Sequence, residues 1–290
     1  MNDQAETLRK LMENNEGQSD TKVISIVSGK GGVGKSNFSI NFSLGLSQAG
    51  KRVLLFDLDI GMANVDILMG VSSKYNIVDM IENELTIWDI IEKGPENVSF
   101  VSGGSGFTQL FKLNEQKFGR FVTQLESLMS HFDYIIFDMG AGVSEDSIQF
   151  ILSANEAIVV TTPEPTSITD AYAMLKYINS KNDTIHCSLI VNRTETEKEG
   201  QVTAQNFQRV VKQFLHKDIA YLGSIPNDKV VTKAVRSQKP FLLFDPKAKS
   251  SRAVELMVQV FLGKQGTGTG QQHTHFQSFV QRFTGFFIKK

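Results

Sequence analysis

Short apolar runs alternate along this chain with segments of helical period. KVISIVSG (residues 22–29) is a β-branched apolar run of the kind that fills a strand buried on both faces. SNFSINFSLGLSQAG (36–50) then places apolar positions at helical spacing and stops on Gly50. The strand-then-turn pattern returns in RVLLFDLD (52–59), NVSFVSGGSG (97–106), DYIIFDMGAG (133–142), EAIVVTTP (156–163), IHCSLIVNR (185–193) and YLGSIPND (221–228). Between these, Ile77 to Ile91 reads as one or two short helices. Asn114 to His131 reads as one helix, with Phe118, Phe121, Leu125 and Leu128 on a core face. PTSITDAYAMLKYI (165–178) reads as a helix and RAVELMVQVFLG (252–263) as an amphipathic helix. Strands alternating with helices imply an α/β fold, a mostly parallel central sheet flanked by helices.

The two ends follow other patterns. DQAETLRKLM (3–12) sets Ala5, Leu8, Leu11 and Met12 at helical spacing, and Asp3 with Glu6 resembles a capping box. It is either a short helix that forms on binding or a frayed terminus. GKQGTGTGQQH (263–273) has the composition of a flexible linker. Beyond it, Phe276, Phe279, Val280, Phe283, Phe286 and Phe287 fall within an arc of roughly 120°, at about 100° per residue, with Arg282 and Lys289 opposite. Such a helix suits a membrane interface, its phenylalanines among acyl chains and Arg282, Lys289 and Lys290 near anionic headgroups. The competing reading folds it back onto its own domain or a partner groove, and the two can alternate. The expected division is 1–20, an N-terminal segment; 21–262, the α/β domain; 263–273, the linker; and 274–290, the terminal amphipathic helix.

Composition narrows the class. With 41% hydrophobic residues over 290, the chain can bury the core of a single α/β domain. A net charge of −1 speaks against a nucleic-acid partner gripped by bulk charge. The single cysteine, Cys187, rules out an intrachain disulfide and, with no signal-peptide pattern, leads us to expect a cytoplasmic protein. No apolar run approaches the ~20 residues needed to span a bilayer, so membrane contact is expected to be peripheral, on the inner face of the membrane.

The strongest chemistry lies in Gly29–Ser36, GKGGVGKS, which fits G-x-x-x-x-G-K-[ST] at every fixed position, between a strand and a helix. Glycines let the backbone amides wrap a phosphate; Lys35 would charge-pair the β- and γ-phosphates and Ser36 would offer its hydroxyl to Mg2+. Gly29, Lys30, Gly31, Gly32, Val33, Gly34, Lys35, Ser36 and Asn37 are therefore candidate ATP contacts. Asp57 and Asp59, two apart at a strand's C-terminal end, point to the side where α/β folds place ligands. Phosphoryl transfer to water needs a group that orients the water and groups that hold magnesium, for which Ser36, Asp57 and Asp138 are candidates; for Asp57 the plain alternative is that it only helps order the ion's water shell. Asp138, delivered by an apolar strand to a glycine-flanked turn, has the Walker B arrangement.

The second lysine, Lys30, cannot share the loop's own phosphates with Lys35. KGGxGK[ST] resembles the deviant Walker family of MinD, ParA, nitrogenase iron protein and the Mrp carriers. The resemblance implies that Lys30 completes the nucleotide site of a partner subunit in an ATP-bound homodimer; a solvated loop lysine is the plain alternative. DIGMANVDIL (59–68) resembles the MinD-type switch I, which implies that Asp59 orients the attacking water and that Asn64 and Asp66 lie in a mobile segment. Asp138 begins a D-x-x-A-G switch II with Gly140 where MinD proteins carry proline. Asn192 aligns with the family's adenine-reading asparagine, followed by Arg193. Pro226 and Asp228 fall on the matching side of the base pocket, although a proline turn and a helix N-cap explain those two as well.

Cluster carriers need several cysteines, related tyrosine kinases a tyrosine-rich tail, and ParA proteins a basic surface. MinD proteins begin almost at the first strand. DQAETLR instead resembles the DQAxxLR signature of the FlhG (YlxH) branch of MinD-like ATPases, which set flagellar number and placement. In that branch the segment stimulates FlhF, a signal-recognition-particle-type GTPase. The match implies a key role for Gln4, with Asp3, Ala5, Leu8 and Arg9 completing the contact. It also implies a slow Mg-dependent ATPase that dimerises, binds anionic membrane and has flagellar basal-body or C-ring components as further partners. Alternatives are a positioning ATPase for division sites or for DNA and cargo partition, and a scaffold that binds nucleotide without hydrolysis.

Overall fold

The computed structural model describes residues 20–59, 64–103, 115–142, 147–265 and 275–288. In chain order these form β1 (Lys22–Val27), α1 (Lys35–Gln48), β2 (Val53–Leu58), α2 (Val65–Met69), α3 (Ile77–Glu82), α4 (Ile87–Ile90), β3 (Glu92–Lys93), β4 (Ser99–Val101), α5 (Glu115–Glu126) and β5 (Tyr134–Met139). There follow α6 (Ser147–Ser153), β6 (Glu156–Thr161), α7 (Pro165–Lys181), β7 (His186–Thr194), α8 (Glu197–Leu215), β8 (Ala220–Pro226), α9 (Lys229–Arg236), α10 (Phe241–Phe244), α11 (Lys249–Gln265) and α12 (His275–Ile288).

One eight-stranded sheet runs in the order β3-β4-β2-β5-β1-β6-β7-β8. All neighbours are parallel except the edge pair β3–β4. The expected α/β architecture is therefore present. Because side chains alternate across a strand, β1 sends Val23 and Val27 to one face and Ile24 and Ile26 to the other. The first face is covered by α5, α6, α7, α8 and α12, the second by α1 and α11.

Helix α1 is buried nearly all round, so its polar residues need internal partners. Ser43 donates to the Ser39 carbonyl (2.7 Å), and Asn41 both donates to the Asn37 carbonyl (2.7 Å) and accepts from the Leu242 amide (2.9 Å).

The terminal helix is docked on its own domain in this structure, the second of the two readings open for the tail. Phe276, Phe279, Val280 and Phe283 are 1, 1, 7 and 1% exposed, sunk into the first core face rather than free for lipid. Phe279 packs on Phe137 (5.6 Å between ring centroids) and Phe283 on Phe150 (4.6 Å). Burial of each aromatic is worth about 2 kcal/mol, so an uncovered sheet face next to such a helix attracts it. Arg282, expected at headgroups, instead donates to the carbonyls of Ser153 (2.8 and 3.0 Å) and Ala154 (3.3 Å) at the end of α6, a favourable place for a cation. The helix start is tied down by His275 N–H to Asp20 Oδ2 (2.7 Å) and by the Asn155 amide to the His275 carbonyl (2.9 Å). The side chains of Phe286 and Phe287, and Lys289 and Lys290, lie outside the described residues, as do Asp3, Gln4, Ala5, Leu8 and Arg9. Helix α11 continues to Gln265, into the first residues of the expected linker. Among the described residues no helix is long and apolar enough to cross a membrane.

Candidate functional site

The loop from Gly29 to Ser36 joins β1 to α1, at the C-terminal edge of the sheet's centre. Two of its glycines are constrained for different reasons. A Cβ on Gly29 would lie 2.1 Å from the Asp170 carbonyl group, because the backbone of α7 runs against the loop. Gly34 has φ +91°, and a Cβ there would lie 2.2 Å from Asn192 Nδ2. That amide donates to the Val33 carbonyl (2.7 Å), while Asn192 Oδ1 accepts from the Arg193 backbone (2.9 Å). Asn192, expected at the base, is in this structure a strut under the loop.

Lys35 opens α1 and is almost fully buried. Its Nζ lies 2.9 Å from Asp138 Oδ1 and 3.5 Å from Ser36 Oγ. Asp138 is completely buried in β5, and its Oδ1 also accepts from Ser39 Oγ at 2.7 Å. Its other oxygen, Oδ2, is buried without a hydrogen-bond partner. Next to it in register on β2 stands Asp57. Burial and, second, the charge of Asp138 push the Asp57 carboxyl up to about 7 from 3.8, against the opposing pull of its backbone donors. Those donors are Asp59 N–H (3.1 Å), Asn64 N–H (2.9 Å) and Val65 N–H (3.1 Å). Asp57, expected beside the metal, therefore engages both oxygens in holding the two ends of switch I; residues 60–63 between them lie outside the described set.

Lys35 and Ser39 both sit on Asp138 Oδ1, so the orphaned, buried Oδ2 is a ready acceptor for a metal-bound water. Magnesium fits: it keeps several waters and takes few protein ligands, and the Ser36 hydroxyl and Asp138 Oδ1 both lie beside Lys35 Nζ, with Oδ2 left unpartnered.

Asp59 is half-buried at the end of β2, facing switch II: a Cβ on Gly140 would sit 3.5 Å from its Oδ1. The Gly142 amide donates to the Ser28 carbonyl (3.0 Å), joining switch II to the start of the phosphate loop. Lys30 turns away from Lys35 and Asp138. Its Nζ lies 3.3 Å from Glu164 Oε2 and 3.2 Å from Thr166 Oγ1, at the N-terminal end of α7. Asp228 is the N-cap of α9, accepting from Val230 N–H (2.9 Å) and the Ser250 hydroxyl (3.2 Å), the second of the roles open to it. Pro226 ends β8 beside Thr194. Ser39, Glu164 and Thr166 were not among the expected site residues; only for Ser39 is there a signal, a hydroxyl one helical turn beyond Lys35.

A cavity of about 290 Å³ between α3 and α5 is lined by Met80, Glu82, Lys117, Arg120 and Phe121. Its lysine pairs with Glu82 (2.8 Å), and it shares no residue with the phosphate loop.

Comparison with known proteins agrees with this geometry. Residues 20–262 match the ParA family model, described as NUBPL iron-transfer P-loop NTPase. The chain's one cysteine, Cys187, is buried in β7. The antiactivator FleN of Pseudomonas aeruginosa is 34% identical over 82% of this chain and 85% of its own length. The flagellum site-determining protein YlxH of Helicobacter pylori is 35% identical over 92% of this chain and 93% of its own. In structure, the septum site-determining protein MinD of Pyrococcus horikoshii, complexed with Mg-ADP, superposes with a TM-score of 0.70 at 28% identity, covering 85% of this chain and 98% of that one. Magnesium and nucleotide are thus bound within this family. The chain belongs to the MinD/ParA family of P-loop ATPases, in the FlhG branch with FleN and YlxH.

Proposed function

We propose that this protein is an ATP-dependent dimerisation switch in the regulation of flagellar number or placement. The observation that carries the reading is Asp138 beside the phosphate loop, with Oδ1 held by Lys35 and Ser39 and Oδ2 unpartnered. ATP draws Lys35 from Asp138 to the phosphates, and the loop amides wrap them. Magnesium, held by the Ser36 hydroxyl and through water by Asp138, with Asp57 beside it, would screen the phosphate charge. Asp59 orients the attacking water. Lys30 leaves Glu164 and Thr166 to complete the partner's site, so hydrolysis waits for dimerisation.

The tail is the output. α12 covers α6, which follows switch II after residues 143–146, so a shift of switch II bears on the helix that Arg282 grips. Release would present the Phe face to an anionic membrane, and the DQAETLR segment would stimulate an FlhF-type GTPase through Gln4. In sedimentation with ATP, Lys30→Ala should remain monomeric and Asp59→Ala should persist as a dimer; wild type that stays monomeric with non-hydrolysable ATP would sink the switch. A peptide of residues 1–20 should raise GTP turnover by the FlhF-type partner, and equal stimulation by its Gln4→Ala form would remove Gln4 from that role.

A further inference from the structure

Asp138 Oδ1 has two donors of unequal permanence. Lys35 Nζ, at 2.9 Å, sits in the position from which the loop's lysine must move when phosphates arrive. Ser39 Oγ, at 2.7 Å, is rooted one turn along α1, and both Ser39 and Asp138 are 0% exposed. The Ser39 hydroxyl lies farther from the Lys35 carbonyl, 3.1 Å, so its single proton is best placed on the carboxylate.

We infer that Ser39 is a positioning residue for the magnesium site: when Lys35 transfers to the phosphates, Ser39 keeps Asp138 Oδ1 anchored, so that Oδ2 stays turned to the metal's water shell. Without that bond the carboxylate could rotate to follow Lys35 or present either oxygen, and the water shell would lose its fixed acceptor. A hydroxyl that orients a group behind a metal is a recurrent device, since the outer partners of a metal site set how well its nearer groups are aimed. The inference rests on the reading of this site as one for a magnesium nucleotide, and it adds a residue to which the phosphate-loop pattern assigns nothing.

Ser43 supplies the control. It lies on the same helix, is equally buried and also donates to a carbonyl four residues back, that of Ser39, but among the described residues its hydroxyl makes no hydrogen bond to Asp138. The full-length protein is titrated with Mg2+ in the presence of N-methylanthraniloyl-ADP, and nucleotide affinity is measured separately in EDTA. Ser39→Ala should raise the Mg2+ midpoint by about tenfold or more while leaving affinity in EDTA within about twofold of wild type. Ser43→Ala should match wild type in both measurements. A Ser39→Ala midpoint equal to wild type overturns the inference. So does an equal shift in Ser43→Ala, which would assign the effect to helix packing, or a parallel loss of affinity in EDTA. If wild type binds the nucleotide with no response to Mg2+, the reading of the site itself fails, and the role of Ser39 with it.

Discussion

The ring of Phe283 lies 4.6 Å from that of Phe150, centroid to centroid, and this contact fastens the terminal helix to the helix that follows switch II. Truncation to Phe283→Ala should cost about 3–5 kcal/mol in urea unfolding if the tail stays docked throughout the native state. A smaller loss accompanied by rapid proteolysis near residues 266–274 would mean that the tail detaches before the domain unfolds. Arg282→Ala removes charge-assisted bonds to α6 worth about 1.5–3 kcal/mol and should raise liposome binding in the absence of ATP. Unchanged liposome binding would show that Arg282 does not restrain the helix.

Asp57 gives the metal-free protein a pH signature. Its folded-state carboxyl, near 7, lies above the unfolded value of 3.8, so the fold favours the protonated form. The stabilisation it contributes is complete below the unfolded value and is lost as pH rises through about 7. Thermal midpoints in EDTA should therefore fall between about pH 5.5 and 8, more steeply in wild type than in Asp57→Asn. Identical slopes would count against a buried, proton-binding Asp57.

Alanine substitutions in the loop should rank by what the new methyl meets. Gly29→Ala drives it into α7 backbone, which cannot swing away, and should abolish nucleotide binding and lower stability. Gly34→Ala meets a side-chain amide at positive φ and should weaken nucleotide binding by displacing Asn192, at a cost of about 1–3 kcal/mol. Gly31→Ala, whose Cβ meets nothing closer than 3.8 Å, should be the mildest. Calorimetric titration with ADP would reveal any other order.

Burial pushes the Cys187 thiol up to about 11, the first of its causes, from 9.0. At neutral pH it should resist iodoacetamide in the folded protein and react only in denaturant. Fast labelling of the native chain would contradict the packing of β7.

The phosphate loop was legible because its chemistry is local: eight consecutive residues carry the glycines, the lysines and the hydroxyl. Asp138 and Asp57 were legible one at a time, as carboxylates ending apolar runs, but their shared burial depends on β2 and β5 being neighbours in register, which no short window contains. The same holds for Lys30, whose contacts Glu164 and Thr166 lie more than a hundred residues away. Helix α8 is amphipathic, burying Gly200, Thr203, Ala204, Phe207 and Val211 at helical spacing, but three of those five are small or polar while Val202, Val210 and Phe214 are exposed, so apolar residues alone do not mark its buried face. The tail shows the limit most clearly. A Phe-rich face has the same spacing whether lipid or protein covers it; the deciding fact is that β1, β5 and α6 leave room for it.

That room has a consequence for release. Phe137 and Phe150 are each 1% exposed with the helix in place, and both touch it. If α12 leaves as proposed, two complementary oily surfaces would be bared together, one on the tail and one on the domain, and a bilayer that took up the first would leave the second in water. An activated molecule would therefore be sticky in its own right, prone to recapture its tail, and any dimer contact or partner that shields the vacated groove would lengthen the life of the membrane-bound state.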